Sequence, residues 1–176
     1  MLPCSDDSAT PEVARAARDL ISAASRFMSV ATGRVAEREQ KLLDVFHEGG
    51  RVALEQALQW TEDALPAEVF VGMGHRIYRE HQPGAATYLS RFGELRVRRR
   101  SFREVAVRNG PTVIALELCA GLIEGATAAF ACSVSEGCGL HDMRKHQKVL
   151  DSRRRHVPPR ATLERLAMRL GTRIDE

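Results

Sequence analysis

The stretch Val71-Gly-Met-Gly-His-Arg-Ile-Tyr-Arg-Glu80 is the most informative part of the sequence for predicting fold and function. It places a histidine between glycines and arginines. The two glycines permit positive φ, so the backbone can approach a ligand closely and present His75 from a loop. Arg76 and Arg79 add fixed positive charge that suits carboxylate or phosphate groups. The stretch predicts an anion pocket with a hydrogen-bonding imidazole. A histidine beside Gly-x-Gly also occurs as a solvated or structural residue, so both interpretations stand at this point.

Helical periodicity dominates the sequence that precedes this stretch. Thr10-Pro11 is a capping residue followed by proline at the first helical position, and apolar residues then recur at helical spacing from Val13 to Met28. A second helical pattern runs from Leu54 to Leu65 and is stopped by Pro66. The pattern therefore predicts a helix that leads into the His75 loop.

The segment from Pro111 to Val134 is apolar almost all round. Glu117 and Glu124 would be costly at bilayer depth, so a buried core helix is expected rather than a membrane span. Gly121 and Gly125 are four residues apart and would let another helix approach closely.

The remaining patterns complete the expected fold class. Leu163 to Leu170 mark a last short helix that Gly171 terminates, and the stretch from Val69 to Val71 is expected to form a short extended piece. The sequence thus predicts an all-α fold in a single domain of 176 residues. Residues 1–9 and about 144–160 are the segments expected to be flexible.

Gly74-His-Arg-Ile-Tyr-Arg79, followed by Pro83 and Ala85, resembles the Gly-His-Arg-Val-Tyr-x-x-x-Asp-Pro-Arg-Ala signature of citrate synthases. The run from Lys41 to Leu65 is similar to the two helices that precede that signature. The resemblance covers about residues 41–88. It implies a helical domain like the small-domain and active-site region of that family.

The resemblance also implies an activity and its residues. His75 would polarise the ketone of oxaloacetate while the enol of acetyl-CoA attacks it, which gives citrate and coenzyme A in the tricarboxylic acid cycle. Gly74, Arg76 and Arg79 would bind substrate and coenzyme A. No metal and no cofactor beyond the coenzyme A thioester are implied, and the implied assembly is a homodimer.

Three departures from the family pattern support a different interpretation. The Asp-Pro-Arg of the family is Gln82-Pro83-Gly84, the segment 27–37 has no histidine, and the segment 130–139 has no aspartate. Proton abstraction from a thioester methyl group needs a positioned base. The alternative is therefore a degenerate fragment without turnover, whose flanks would arise from a shifted reading frame.

Two basic clusters suggest a nucleic-acid module as a further alternative. The net charge is only +3, and Phe92 and Phe102 are the aromatic residues near the first cluster, so no stacking platform is indicated and no nucleic acid is expected. The clusters are Arg91, Arg96, Arg98, Arg99, Arg100, Arg103 and Arg108, and Arg153, Arg154, Arg155, His156 and Arg160.

Cys132, Cys138, His141 and His146 lie close together in the sequence but do not have zinc-finger spacing. No metal site is therefore expected. The N-terminal residues lack the basic start and apolar run of an export signal, so a cytoplasmic protein with reduced thiols and no membrane contact is expected.

Overall fold

The computed structural model describes residues 11–29, 35–71, 76–108, 110–140, 143–152 and 158–174. The chain divides into two compact units, one up to Gln56 and one from Ala57 onward. The described elements, in chain order, are α1 (Pro11–Ser29), α2 (Val35–Asp63), β1 (Glu68–Val71), β2 (Arg76–Ser90), β3 (Gly93–Glu104), β4 (Thr112–Val113), α3 (Ala115–Cys119), α4 (Ala128–Leu140), α5 (Met143–Ser152) and α6 (Arg160–Ile174).

The first unit contains α1 and most of α2. The predicted start of α1 is confirmed at Pro11, where the fixed φ of proline favours the first helical turn. None of the described side chains in this unit is buried, and Leu43 and Phe46 are about half exposed. On α2, Arg51 binds Glu48 and Glu55 across successive turns. The buried side chains among the described residues thus belong to the second unit.

The second unit contains a four-stranded antiparallel sheet with strand order β1-β2-β3-β4. Arg91 and Phe92 form the tight turn between β2 and β3, and Gly93 follows with φ of 117°, which favours glycine. The register places Tyr88 opposite Leu95. The short extended piece predicted before the His75 stretch is confirmed as β1.

The all-α prediction is wrong, because β1, β2, β3 and β4 form this antiparallel sheet. Buried Leu95 and Val97 alternate with exposed arginines in β3, which is a strand pattern, but three consecutive arginines interrupt the alternation. In β2, the register shifts between Glu80 and Gln82. Across this bulge the buried residues of the paired strand β3 change from odd to even numbers, from Leu95 and Val97 to Phe102, so the period of two does not persist in the sequence.

The predicted core helix from Pro111 to Val134 is also wrong as a single element. The segment forms β4, the short α3, a turn and the first half of α4. Gly121 and Gly125 adopt φ of 61° and 77°, which a right-handed helix excludes. The turn binds to β2 instead, since the Leu89 amide donates to the Gly125 carbonyl and the Thr127 amide donates to the Leu89 carbonyl, both at 2.8 Å.

Apolar clusters among the described residues stabilise the second unit. Tyr78, Phe102 and Ala115 form one beside the sheet. Another joins α4, α5 and α6, and α6 continues past Gly171, so the predicted end of this helix at Gly171 is wrong. Its buried members are Ile123, Ala126, Phe130, Ala131, Val134, Leu150, Leu163 and Leu166.

Arg100 on β3 connects the sheet to the C-terminal end of α2. Its Nε and its backbone amide donate to Glu62 Oε1 at 2.8 and 2.9 Å. Its Nη2 donates to the carbonyl oxygens of Glu62 and Leu65 at 2.6 and 2.8 Å. Helix C-terminal carbonyls lack partners within the helix and carry partial negative charge, so a guanidinium is suited to this position.

Replacement of Arg100 by Met is expected to destabilise the protein by about 3 kcal/mol, because it leaves the Glu62 carboxylate buried without its ionic partner. Chemical denaturation measures the change. Arg98→Met is the matched control, since Arg98 lies two positions earlier on β3 and its side chain is exposed. Equal effects of the two substitutions would contradict the importance of the Arg100 ion pair.

Gly137→Ala is expected to destabilise the protein by about 1–3 kcal/mol through overpacking. A Cβ at Gly137 on α4 would lie 2.7 Å from Cγ of the buried His146 on α5, and nearer still to other ring atoms. Gly49→Ala on α2 is the control, because its Cβ would contact nothing within 4 Å. Thermal unfolding that leaves Gly137→Ala as stable as the parent would refute this packing.

Candidate functional site

The predicted catalytic histidine, His75, and the adjacent Gly74 lie outside the described residues. The strands on either side are described, and the last residue of β1, Val71, pairs with Arg76 at the start of β2. The roles assigned to His75 and Gly74 by resemblance stay predictions.

Arg76 and Arg79, the other two predicted binding residues, are both exposed on β2. Arg79 donates from Nη2 and Nε to Glu68 Oε1 at 2.6 and 3.0 Å, and Arg76 Nε lies 3.9 Å from Glu104 Oε1. Three positions along a strand place these side chains on opposite faces. The Arg79–Glu68 pair is exposed on both sides, and such pairs are worth about 0–1 kcal/mol, so a ligand anion can replace Glu68.

Tyr88, Arg99 and Glu117 form a polar cluster on the face of the sheet toward α3. Arg99 Nη1 donates to the Tyr88 hydroxyl at 2.8 Å and to Glu117 Oε1, and the hydroxyl donates to Glu117 Oε1 at 3.2 Å. Burial raises the pKa of Tyr88 to about 12. Burial acts to lower the pKa of Arg99, but its contacts with Tyr88 and Glu117 outweigh this and raise that pKa.

A cleft of about 250 Å³ lies beside this cluster. Gly84 on β2 is directly opposite Arg99 on β3, and a Cβ at Gly84 would meet nothing within 4 Å, so the wall facing Arg99 is open. In the described part of the chain, Nε and Nη2 of Arg99 make no hydrogen bond. The cleft is lined by Gln82, Pro83, Gly84, Ala85, Arg99, Ser101 and Ile114.

The sequence pattern did not single out Arg99, because Arg99 is one of the arginines of the first basic cluster, between Arg91 and Arg108. Strand alternation is the signal that separates them, since Arg99 and Arg100 must project to opposite faces of β3. Arg99 and Arg100 are both bound to carboxylates, and Arg91 Nε donates to the Ala129 carbonyl at 3.0 Å. These three arginines are therefore engaged within the protein.

The second basic cluster lies mostly beyond the described residues, which resume at Pro158. Arg160 is described, and its Nε lies 2.6 Å from Glu164 Oε1 on the next turn of α6. This pair is partly exposed and local to one helix.

The cysteines and histidines considered for zinc are dispersed in the described structure. Cys132 is exposed on α4, Cys138 is half-buried, and His146 is buried on α5, whereas His141 lies outside the described residues. A search of the described residues finds no group of three or more His, Cys, Asp or Glu side chains that can hold a metal. No helix within the same residues has both the length and the apolar character needed to cross a bilayer.

Comparison with known proteins identifies no relative: no family model, no curated protein and no solved structure matches this chain. The resemblance of residues 74–79 and their neighbours to the citrate synthase signature stays a prediction.

The Tyr88 hydroxyl is expected to titrate near pH 12 in the folded protein, above its ordinary value of 10. Because the folded-state pKa is the higher one, the stabilisation is complete below pH 10 and is lost as pH rises toward 12. Tyrosinate absorbance measures this, and Tyr88→Phe should remove the transition near pH 12. Titration of Tyr88 near pH 10 would contradict its buried position.

Proposed function

We propose that this chain is a degenerate relative of the citrate synthases that binds small anions and does not catalyse the condensation. The observation that supports this is the hairpin of β2 and β3. The motif residues 76–88 lie within β2, where they pair with β3, whereas the resemblance implies helical surroundings. Catalytic groups must be held within fractions of an ångström of a productive geometry, and a different fold does not preserve such positions.

The missing catalytic groups support the same proposal. The segment that should carry the catalytic base, residues 130–139, lies in α4, and its one carboxylate is Glu136, which is exposed. An exposed carboxylate is not poised to remove a proton from a thioester methyl group. The segment 27–37 has no histidine that could stabilise the enol of acetyl-CoA.

Anion binding is the part of the family chemistry that this chain retains the means to perform. Arg76 and Arg79 are exposed and lie beside carboxylates of the sheet, and Arg99 lines a cleft with unused donors. Guanidinium groups bind carboxylates through paired, charge-assisted hydrogen bonds. We propose oxaloacetate or a related 2-oxo acid as the ligand, and the cytoplasm as the compartment.

The second candidate is the complete reaction, in which acetyl-CoA condenses with oxaloacetate to give citrate and coenzyme A. The motif itself favours it, since Gly74-His-Arg-Ile-Tyr-Arg79 differs from the family signature only by isoleucine in place of valine. Arg79 is also exposed, as a contact to coenzyme A phosphates requires. In this candidate His75 polarises the ketone, and a homodimer is the proposed assembly.

Thiol release from acetyl-CoA in the presence of oxaloacetate distinguishes the two candidates. We expect the parent protein to release no more thiol than His75→Ala, because Glu136, the one carboxylate of residues 130–139, is exposed and not positioned as a base. Turnover that is abolished in His75→Ala would overturn the proposed inactivity and favour the second candidate. Calorimetric titration with oxaloacetate, measured on both proteins, reports anion binding independently of turnover.

A further inference from the structure

We infer that the cleft beside Arg99 is a binding site for a small carboxylate, which enters along the open wall at Gly84. The inference rests on the proposed function in that it names the place where an anion binds. The geometry of Arg99 and the cleft gives the location of this binding site. The site requires neither His75 nor the exposed arginines at the start of β2.

Arg99 has N–H donors that are available to a ligand. A guanidinium carries five N–H groups and accepts none. Nη1 of Arg99 serves Tyr88 and Glu117, while Nε and Nη2 make no hydrogen bond within the described residues. Nε–H and one Nη2–H point in parallel, which is the arrangement that binds both oxygens of a carboxylate.

The space in front of these Arg99 donors can hold a ligand. The cleft of about 250 Å³ is large enough for a small organic acid. Gly84 opposite Arg99 contributes no side chain, so the space in front of Arg99 stays open. Ser101 Oγ donates to the Gln82 carbonyl at 2.9 Å, so Arg99 rather than Ser101 supplies the donors for a ligand. The Arg99 side chain is 27% exposed, so water screens its charge less than at an open surface.

Glu117 already neutralises part of the positive charge of Arg99. The neighbouring Arg100 shows that one guanidinium of this sheet holds two carboxylates, with Nε 2.8 Å from Glu62 and Nη1 3.5 Å from Glu80. A second carboxylate on Arg99 repeats that arrangement. Inorganic phosphate concentrates more negative charge next to Glu117, so a carboxylate is the favoured ligand.

The resonance of the Arg99 Nε–H group in nitrogen-labelled protein reports binding directly, and its absence from Arg99→Lys identifies it. The probes are acetate, oxaloacetate and inorganic phosphate at equal ionic strength. We expect both carboxylates to shift this resonance more than phosphate does. Arg99→Lys, which keeps the charge but loses the paired donors, should weaken oxaloacetate binding by about tenfold or more.

Two further variants complete the test. Arg98→Lys is the matched control and should bind as the parent does, because Arg98 projects from the opposite face of β3. Gly84→Ala places a methyl group into the open wall without a steric clash. It should weaken binding several-fold while the Tyr88 titration and the thermal unfolding stay unchanged.

The outcomes separate this inference from the proposed function. Binding that survives Arg99→Lys but is lost on replacement of Arg76 or Arg79 by Lys would overturn the Arg99 site and leave anion binding intact. Preference for phosphate over both carboxylates would overturn the ligand class. If the parent protein binds none of the three anions, both the site and the proposed anion binding are refuted.

Discussion

The ion pair between Glu62 and Arg100 is the constraint on which the second unit depends. Glu62 is 2% exposed, and a buried carboxylate requires a partner. Arg100 supplies that partner and also binds two carbonyl oxygens at the end of α2. Since the Arg100 amide takes part as well, backbone and side chain of β3 are held together at this point. Phe102, two residues further along the same face, packs with Tyr78 beside it.

The position of Arg100 determines that of Arg99. Successive residues of a strand project to opposite faces of the sheet. Because Arg100 projects toward α2, the preceding Arg99 projects toward α3. There Arg99 meets Tyr88 and Glu117, whose hydrogen bonds hold its guanidinium at the edge of the cleft. A contact that stabilises the fold thus orients the cation of the candidate site. The two arginines are alike in sequence and differ in role because of one step along the strand.

The stretch that resembles the citrate synthase signature has a different setting here from the one that the resemblance implies. A short motif specifies local chemistry, but catalysis requires groups from distant parts of a chain to converge. In this protein, the strand that contains Arg76 and Arg79 directs them to opposite faces, and each meets a carboxylate of the sheet. The motif residues therefore provide separate cationic positions along one strand. This arrangement is compatible with anion binding and unfavourable for a concerted condensation.

Local features of the candidate site could be predicted from the sequence, whereas contacts between distant residues could not, and the same is true of the fold. The charge of Arg76 and Arg79 and their suitability for anions are visible in the sequence. Their opposite directions become evident only once the segment is known to be a strand. Arg99 could have been separated from its neighbours by the alternation of Leu95 and Val97, but its contacts with Tyr88 and Glu117 join residues 11 and 18 positions away. Such contacts leave no local pattern.

By itself, the sequence determined the start of α1 at Pro11, the end of α2 before Pro66 and the extended piece at β1. These features depend on the fixed φ of proline and on short-range preferences that act within a few residues. Tertiary structure decided the pairing of β2 with β3, the bulge after Glu80 and the division of the segment after Pro111. Cross-strand hydrogen bonds and the burial of Glu62 with Arg100 stabilise this arrangement of strands and helices. Their energies arise only when residues that are distant in the sequence meet.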